Sequence, residues 1–414
     1  MKVVIIGNGP AGVTVAETLR NEGFRDEIVM FSGENAPPYA PAVLASFFEE
    51  GGETVFWKGR DFCQRYGITC RQGQWIDAVR PADKIVVTRT GEQIPYDKLV
   101  IATGSTLYAP IDCHCTEPLR EGETRFYNFK SMTAALEIQQ RVQSGEVNSA
   151  VVVGAGFIGT EIALVLADAG VQVTQVEMMN RVMPRMLDEE TASYAEQAIR
   201  ERGIDLRLNT KGVEFKGRHM ADALVLETGE TLYADMFIAA TGIRPNVAFL
   251  QGSGLPVQHG LIVNDALESG SPDIFAAGDV AETVDMITGK RYVHALHPNA
   301  VAQGTLVAHN ILGYGRTYAG AENINSLKHL GLPMVAVGEI SGHEELKKKD
   351  GKTLRKIILR DDRIVGFRLV GDIRFAGLYR SLMLQKENIS TYKRYLLDDQ
   401  FSAGWLLSIG SLTL

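Results

Sequence analysis

Two glycine runs are the first residues of this chain whose types and spacing propose a chemistry. Gly7-Asn8-Gly9-Pro10-Ala11-Gly12 follows the apolar run Val3-Val4-Ile5-Ile6, and Gly154-Ala155-Gly156-Phe157-Ile158-Gly159 follows Ala150-Val151-Val152-Val153. In a G-x-G-x-x-G loop the first glycine permits a tight turn and the second lets backbone approach a pyrophosphate. The third lets the following helix pack closely on the strand. The pyrophosphate then rests on free N–H groups at the positive end of the helix dipole. A carboxylate about 20 residues downstream accepts a ribose hydroxyl bond. Glu34 lies 22 residues beyond Gly12, and Glu177 lies 18 beyond Gly159. A single such loop also arises from packing alone. Two copies, each with strand, helix, acid and a later Ala-Thr-Gly (Ala102-Thr103-Gly104 and Ala240-Thr241-Gly242), imply two dinucleotide sites.

The elements around these loops repeat as well. A helical pattern runs to about Glu22 in the first copy and to about Ala169 in the second. Apolar strands Ile28–Phe31 and Val171–Val176 follow, and each copy closes on a strand, Asp97–Gly104 or Asp235–Gly242. Strand, glycine loop, helix and strand make a βαβ unit on a parallel sheet, so the expected fold class is α/β with two Rossmann-like domains. A chain of 414 residues has room for two or three domains. With 45% apolar and 22% charged residues the composition is globular. A net charge of −8 makes nucleic acid an unfavourable partner. Residues 341–414 run against that average, with 14 Lys and Arg against 9 Asp and Glu. The four cysteines, Cys63, Cys70, Cys113 and Cys115, show neither C-x-x-C nor zinc-site spacing, and scattered thiols suit a reducing cytoplasm. The first apolar run is too short for a signal-peptide core, and no apolar stretch is long enough to span a bilayer. A cytoplasmic protein without metal is expected.

A third motif, Pro272-Asp273-Ile274-Phe275-Ala276-Ala277-Gly278-Asp279-Val280, is a strand entering a Gly-Asp turn. With it, the array resembles the FAD-dependent pyridine nucleotide-disulfide oxidoreductase superfamily. The resemblance implies FAD on the N-terminal motif, held by Gly7, Gly9, Pro10, Ala11, Gly12, Glu34, Ala102, Thr103 and Gly104. It implies Asp279 on the flavin's ribityl chain, with Gly278 allowing close approach. It implies NAD(H) on Gly154, Gly156, Phe157, Ile158, Gly159 and Glu177, with Thr241 and Gly242. A helix starting near His297-Pro298-Asn299-Ala300 and running to Ile311 has Pro298 where helix starts favour it. In the resembled family the matching N-terminus faces the flavin's pyrimidine ring, where its dipole would stabilise negative charge. His297 is then either a flavin contact or a buried, capping histidine. Glu161 resembles an acid near the nicotinamide amide, and also reads as a helix-surface acid. Glu177 accepts from the 2′-hydroxyl of NAD and repels the 2′-phosphate of NADP. Gln175 and Met178 bring no positive charge, which leaves Arg181 as the one nearby candidate.

Disulfide-reducing members of that superfamily carry redox cysteine early in the FAD domain. The corresponding stretch, Pro37–Leu44, has none, and Ala45-Ser46 stand where a lysine is usual. Cys63 and Cys70 read as buried small apolar residues, and Cys113 and Cys115 as loop residues without redox duty. No catalytic side chain is therefore expected. Flavin can take hydride and release electrons singly, so catalysis reduces to placing the two rings about 3–3.5 Å apart. Beyond about Gly320 short strands are expected over 323–331 and 333–340, a hairpin over 352–370 turning at Asp361-Asp362-Arg363, then a helix to Lys386. This ending resembles the C-terminal interface domain of ferredoxin, rubredoxin and nitrite reductase-like flavoproteins. The whole chain resembles the flavoprotein subunits of NAD-linked iron–sulfur oxidoreductases, those of phenylglyoxylate dehydrogenase and tungsten aldehyde oxidoreductases among them.

The expected modules are an FAD-binding domain of residues 1–115 and 245–320, an NAD-binding domain of 116–244 and a smaller α+β interface domain of 321–414. The expected activity is NADH:acceptor oxidoreduction with an iron–sulfur, ferredoxin-like protein or subunit, in a hetero-oligomer or homodimer. A net-positive C-terminal region attracts acidic surfaces. The apolar tail Phe401–Leu414, with Trp405-Leu406-Leu407 and Ile409, either anchors in that partner or covers its own domain. The rival readings are a stand-alone NADH oxidase and a non-catalytic flavin-binding assembly subunit.

Overall fold

A computed structural model of the chain describes residues 1–119, 124–327 and 330–408. The described residues form two compact units, each assembled from three stretches of chain. One contains Met1–Pro110, Tyr127–Glu146 and Thr241–Glu322; the other contains Ile111–Phe126, Val147–Ala240 and Asn323–Leu414. Residues 127–146 thus pack with the first glycine motif, and 323–408 share a unit with the second.

In the first unit the run Val3–Ile6 is a fully buried central strand. It pairs in parallel with Ile28–Phe31 on one side and Lys98–Ile101 on the other. Ile274–Ala276 and Thr69–Arg71 complete a five-stranded sheet as its edges. The helix Pro10–Asn21 crosses between Val3–Ile6 and Ile28–Phe31, so the strand order reverses at the C-terminal end of Val3–Ile6. Such a switch point is where open α/β sheets bind ligands. The helix from His297 to Ile311 forms over the expected span.

The second unit repeats the plan. Ser149–Val153 lies between Gln172–Val176 and Met236–Ala239, all parallel, with Asp205–Arg207 outermost. Helix Phe157–Asp168 follows the glycine loop. The second unit also holds a smaller α+β portion. Its five-stranded sheet runs Ile324–Leu327, Met334–Gly338, Arg363–Val370, Thr353–Arg360, Glu344–Asp350. The hairpin turns where expected: Asp361 and Asp362 both have positive φ, +52° and +53°, the conformation that a two-residue type I′ turn demands. Helix Ala376–Leu384 packs on this sheet through Tyr379, edge-on to Phe367 at 5.7 Å.

One expectation needs correction. Cys63 and Cys70 are not independent apolar residues but a disulfide, with Cα atoms 6.1 Å apart. The chain reverses at Gly67 (φ +58°) after the helical turn Phe62–Arg65, which returns the strand Thr69–Arg71 beside it. The tail, as far as it is described, covers its own domain. Phe401 and Leu406 are buried, and Trp405 packs on Tyr392, Tyr395 and Phe401. Ile409 lies outside the described residues. Among the described residues no helix is long and apolar enough to cross a membrane, and no group of three or more His, Cys, Asp or Glu is gathered for a metal.

Candidate functional site

The first glycine loop is shaped residue by residue. Gly7 has φ +116°, and a Cβ there would fall 2.0 Å from the Ala102 carbonyl oxygen. A Cβ on Gly12 would lie 2.1 Å from the Gly7 oxygen, so helix and strand meet with no room for a side chain. Gly9 differs. Its φ of −75° and ψ of −175° are extended backbone that any residue adopts, and an added Cβ would find no protein atom within 4 Å. The chain's own packing does not require glycine there, and the backbone is left open to approach from outside. Gly9 begins helix Pro10–Asn21, and in the first turn Ala11 and Gly12 have N–H groups without helical acceptors.

Three separate motifs of the sequence converge on this loop. Gly278, φ +81°, places its backbone so that a Cβ would be 3.1 Å from Ala11 Cβ and 3.7 Å from Ala300 Cβ. Its N–H donates to Gln303 Oε1 at 2.7 Å. The Gly-Asp turn therefore lies against the first turns of both Pro10–Asn21 and His297–Ile311. Asp279 Oδ2 accepts from Ser105 Oγ and from Lys130 Nζ, each at 2.7 Å. Thr103 of the Ala-Thr-Gly exchanges two hydrogen bonds with Asn246, each 2.8 Å, and Gly104 has φ +65°. Glu34 points its carboxylate at Thr133 Oγ1 (2.9 Å) and at the Tyr39 hydroxyl. Burial, then the Glu34 charge, raise the Tyr39 pKa well above the ordinary phenol value. His297 stands edge-on to Trp57, ring centroids 5.2 Å apart, and burial lowers its pKa. The Trp57 Nε1 is buried without a partner. Pro298 is exposed at the start of the helix.

The second loop follows the same rules. Gly154 has φ +103°, and a Cβ on Gly159 would be 2.2 Å from the Gly154 oxygen. Gly156, at φ −76° and ψ −173°, again faces open space within 4 Å. Phe157 and Ile158 are half-buried at the helix start. Glu177 is 7% exposed. Its carboxylate accepts from Ala155 N at 2.8 Å and Met179 N at 2.9 Å, which sets it against the glycine loop. Arg181 is not free to read a phosphate. Its guanidinium donates to the carbonyls of Leu187 (2.9 Å) and Pro184 (3.2 Å) and to Asn180 Oδ1 (3.1 Å). Glu161 is half-buried on helix Phe157–Asp168. Ala240 ends the middle stretch of the second unit, and Thr241 and Gly242 belong to the first, where Thr241 Oγ1 donates to the Tyr108 carbonyl.

Each loop thus combines a positive-φ turn, a vacant position at the second glycine and a close helix–strand contact at the third. An acid stands at or shortly beyond the end of the next strand in each, and this set fits a dinucleotide at each loop. Lys130, Asn246 and Trp57 carry no sequence signal that singles them out. Lys130 lies 149 residues before the aspartate it pairs with.

A family model described as pyridine nucleotide-disulphide oxidoreductase matches residues 1–304. The chain is 26% identical over 414 residues to the NADH-dependent phenylglyoxylate dehydrogenase subunit epsilon of Aromatoleum evansii, covering 97% of this chain and 96% of that one. It is 27% identical over 410 residues to the assimilatory nitrate reductase electron transfer subunit of Bacillus subtilis, spanning 97% of itself but only 51% of that protein. To the rubredoxin-NAD(+) reductase of Pseudomonas putida it is 30% identical over 318 residues, 76% of this chain and 80% of that one. Putidaredoxin reductase in its covalent complex with putidaredoxin has the same fold, with a TM-score of 0.86, 23% identity and coverage of 100% and 99%.

Proposed function

The chain belongs to the pyridine nucleotide-disulphide oxidoreductase family, and from that membership we propose that it is an FAD-dependent NADH:acceptor oxidoreductase. FAD is bound on the loop Gly7–Gly12 and NAD(H) on Gly154–Gly159. The electron partner is an iron–sulfur, ferredoxin-like protein or subunit, in a cytoplasmic assembly. The observation that carries this reading is the pair of vacant second glycines, Gly9 and Gly156, each extended and each free of protein atoms within 4 Å. Relatives named for rubredoxin reduction and for electron transfer to a nitrate reductase support the choice of acceptor class.

Bound flavin supplies the conversion between a two-electron hydride and single electrons. The protein's share is binding and orientation. The N–H groups of the two helix starts hold the diphosphates. Glu177 holds the adenosine ribose of NAD and excludes a 2′-phosphate. Lys130 fixes the Asp279 carboxylate beside Ser105 for the ribityl hydroxyls, and Ala102, Thr103 and Gly104 border the same cofactor. Pro298, in the first turn of helix His297–Ile311, would border the flavin, whose reduced form the helix's positive dipole end would stabilise. Glu161, Thr241 and Gly242 are assigned to the nicotinamide side. The segment Pro37–Leu44 offers no thiol to relay electrons, so the bound flavin would itself supply the single-electron chemistry toward the partner.

The test is anaerobic. NADH should bleach the yellow holoprotein, and an added ferredoxin or rubredoxin should restore the colour faster than dissolved oxygen does. Failure of NADH to bleach it would favour an assembly subunit; oxygen as the fastest acceptor would favour an oxidase.

A further inference from the structure

One face of the C-terminal sheet carries an arrangement that nothing in the proposed chemistry yet uses. Antiparallel register sets Lys347 opposite Lys356, Lys356 opposite Arg368, and Arg368 opposite Ala336. Directly opposed residues share a face, so three cations stand in a row across neighbouring strands, where like charges repel. Two of them are buried: Lys356 is 4% exposed and Arg368 0%. Arg368 donates to the carbonyls of Val337 (2.7 Å), Phe367 (3.1 Å) and Gly338 (3.3 Å), and its Nε has no partner. Among the described residues no carboxylate bonds it. Such a row is stable only if something anionic closes over it.

The start of helix Glu189–Glu201 does so. Lys356 Nζ reaches Asp188 at 2.8 Å, Glu190 at 3.0 Å and Glu345 at 3.6 Å, and Lys347 reaches Glu190 at 3.2 Å. Asp188 is also the helix N-cap, accepting from Thr191 N at 3.1 Å and Thr191 Oγ1 at 2.8 Å. The Lys356 ammonium therefore fixes the residue at which the preceding segment, 178–187, is fastened. That segment follows directly on Glu177 and folds onto the glycine loop. Met183 N donates to the Ala155 carbonyl at 2.8 Å, while Ala155 N donates to Glu177. The Ala155 peptide is thus held from both sides, once by the ribose acid and once by a segment anchored at Asp188. Arg181 stitches the segment to itself through Pro184 and Leu187.

We propose that Lys356, on the C-terminal domain, is a positioning residue for the adenosine half of the NAD site, acting through Asp188 and the 178–187 segment. This rests on the reading of the second glycine loop as the NAD(H) site, and it makes dinucleotide affinity depend on a residue outside the Rossmann-like module.

The test uses the FAD-loaded protein and titrates ADP-ribose by calorimetry, with steady-state kinetics alongside. Lys356→Met should raise the ADP-ribose Kd and the NADH KM about tenfold, equivalent to about 1.4 kcal/mol. The turnover at saturating NADH should change far less, and FAD content should be retained. Lys356→Arg should recover most of the affinity. Should Lys356→Met not fold, Glu190→Gln removes a half-exposed partner of both lysines, and a threefold or greater rise in the ADP-ribose Kd is expected, equivalent to roughly 0.6 kcal/mol. A lower melting temperature with an unchanged ADP-ribose Kd would make Lys356 merely structural and overturn the proposal. Wild-type protein that does not bind ADP-ribose would instead refute the NAD assignment itself.

Discussion

Replacing Gly156 by alanine separates a glycine needed by a ligand from one needed by the fold. At φ −76° and ψ −173° alanine is unstrained, and its methyl would meet no protein atom within 4 Å. The melting temperature and FAD content of Gly156→Ala should therefore match wild type. What the methyl does meet is the volume where a diphosphate approaches the helix start. Displacing it weakens at least one charge-assisted hydrogen bond, worth about 1.5–3 kcal/mol. At about 1.4 kcal/mol per decade, that is roughly a 10- to 150-fold rise in NADH KM. Gly159→Ala is the contrast. Its Cβ would be 2.2 Å from the Gly154 oxygen, so the backbone must shift, and the protein should lose about 1–3 kcal/mol of stability. Differential scanning calorimetry and NADH saturation curves on the two variants decide the matter. A destabilised Gly156→Ala that retains wild-type KM would refute the reasoning, because the glycine would then serve packing alone.

Removing the Glu177 charge (Glu177→Gln) should narrow the preference for NADH over NADPH by about tenfold in kcat/KM, or about 1.4 kcal/mol; an unchanged ratio would place selection elsewhere. Because burial lowers the His297 pKa, its neutral ring contributes stability that is fully present above about pH 6.5 and is lost as pH falls through the lowered folded value. His297→Asn should accordingly flatten the fall in melting temperature below pH 6.5, and an equally steep profile would rule out that origin. Truncation after Gln400 strips Phe401, Trp405 and Leu406 from Tyr392 and Tyr395. Unfolding of the C-terminal domain by proteolysis is the expected outcome, whereas a folded product that no longer binds its electron partner would restore the tail as an anchor.

The parts of this fold that could be read from sequence are those where local chemistry decides the backbone. Gly7 and Gly154 must be glycine for their positive φ, and Asp361-Asp362 can be recognised as a turn because aspartate tolerates that region. Strand Val3–Ile6 and the run Ala150–Val153 are apolar throughout because parallel strands are covered on both faces. What could not be read depends on distant partners. Strand Glu344–Asp350 has the sequence Glu-Glu-Leu-Lys-Lys-Lys-Asp, with no apolar alternation, and exists because Thr353–Arg360 offers it an edge. Lys356 and Arg368 sit where a hydrophobic pattern would place leucine, since the helix start that neutralises Lys356 is 168 residues earlier. Lys130 and Asp279 likewise meet only after folding. The Cys63–Cys70 pair follows no spacing rule; it follows from the reversal at Gly67.

The strand order of the first sheet has a consequence for biosynthesis. Lys98–Ile101 needs Ile274–Ala276 beside it, yet about 170 residues emerge from the ribosome between the two. Throughout that interval the nascent chain presents an unpaired, apolar parallel edge, the kind of surface to which other chains add. Early termination anywhere in between should yield aggregates rather than a small flavin-binding fragment. An expression strategy that slows initiation, or supplies a chaperone until Ala276 has cleared the exit tunnel, should raise the soluble yield.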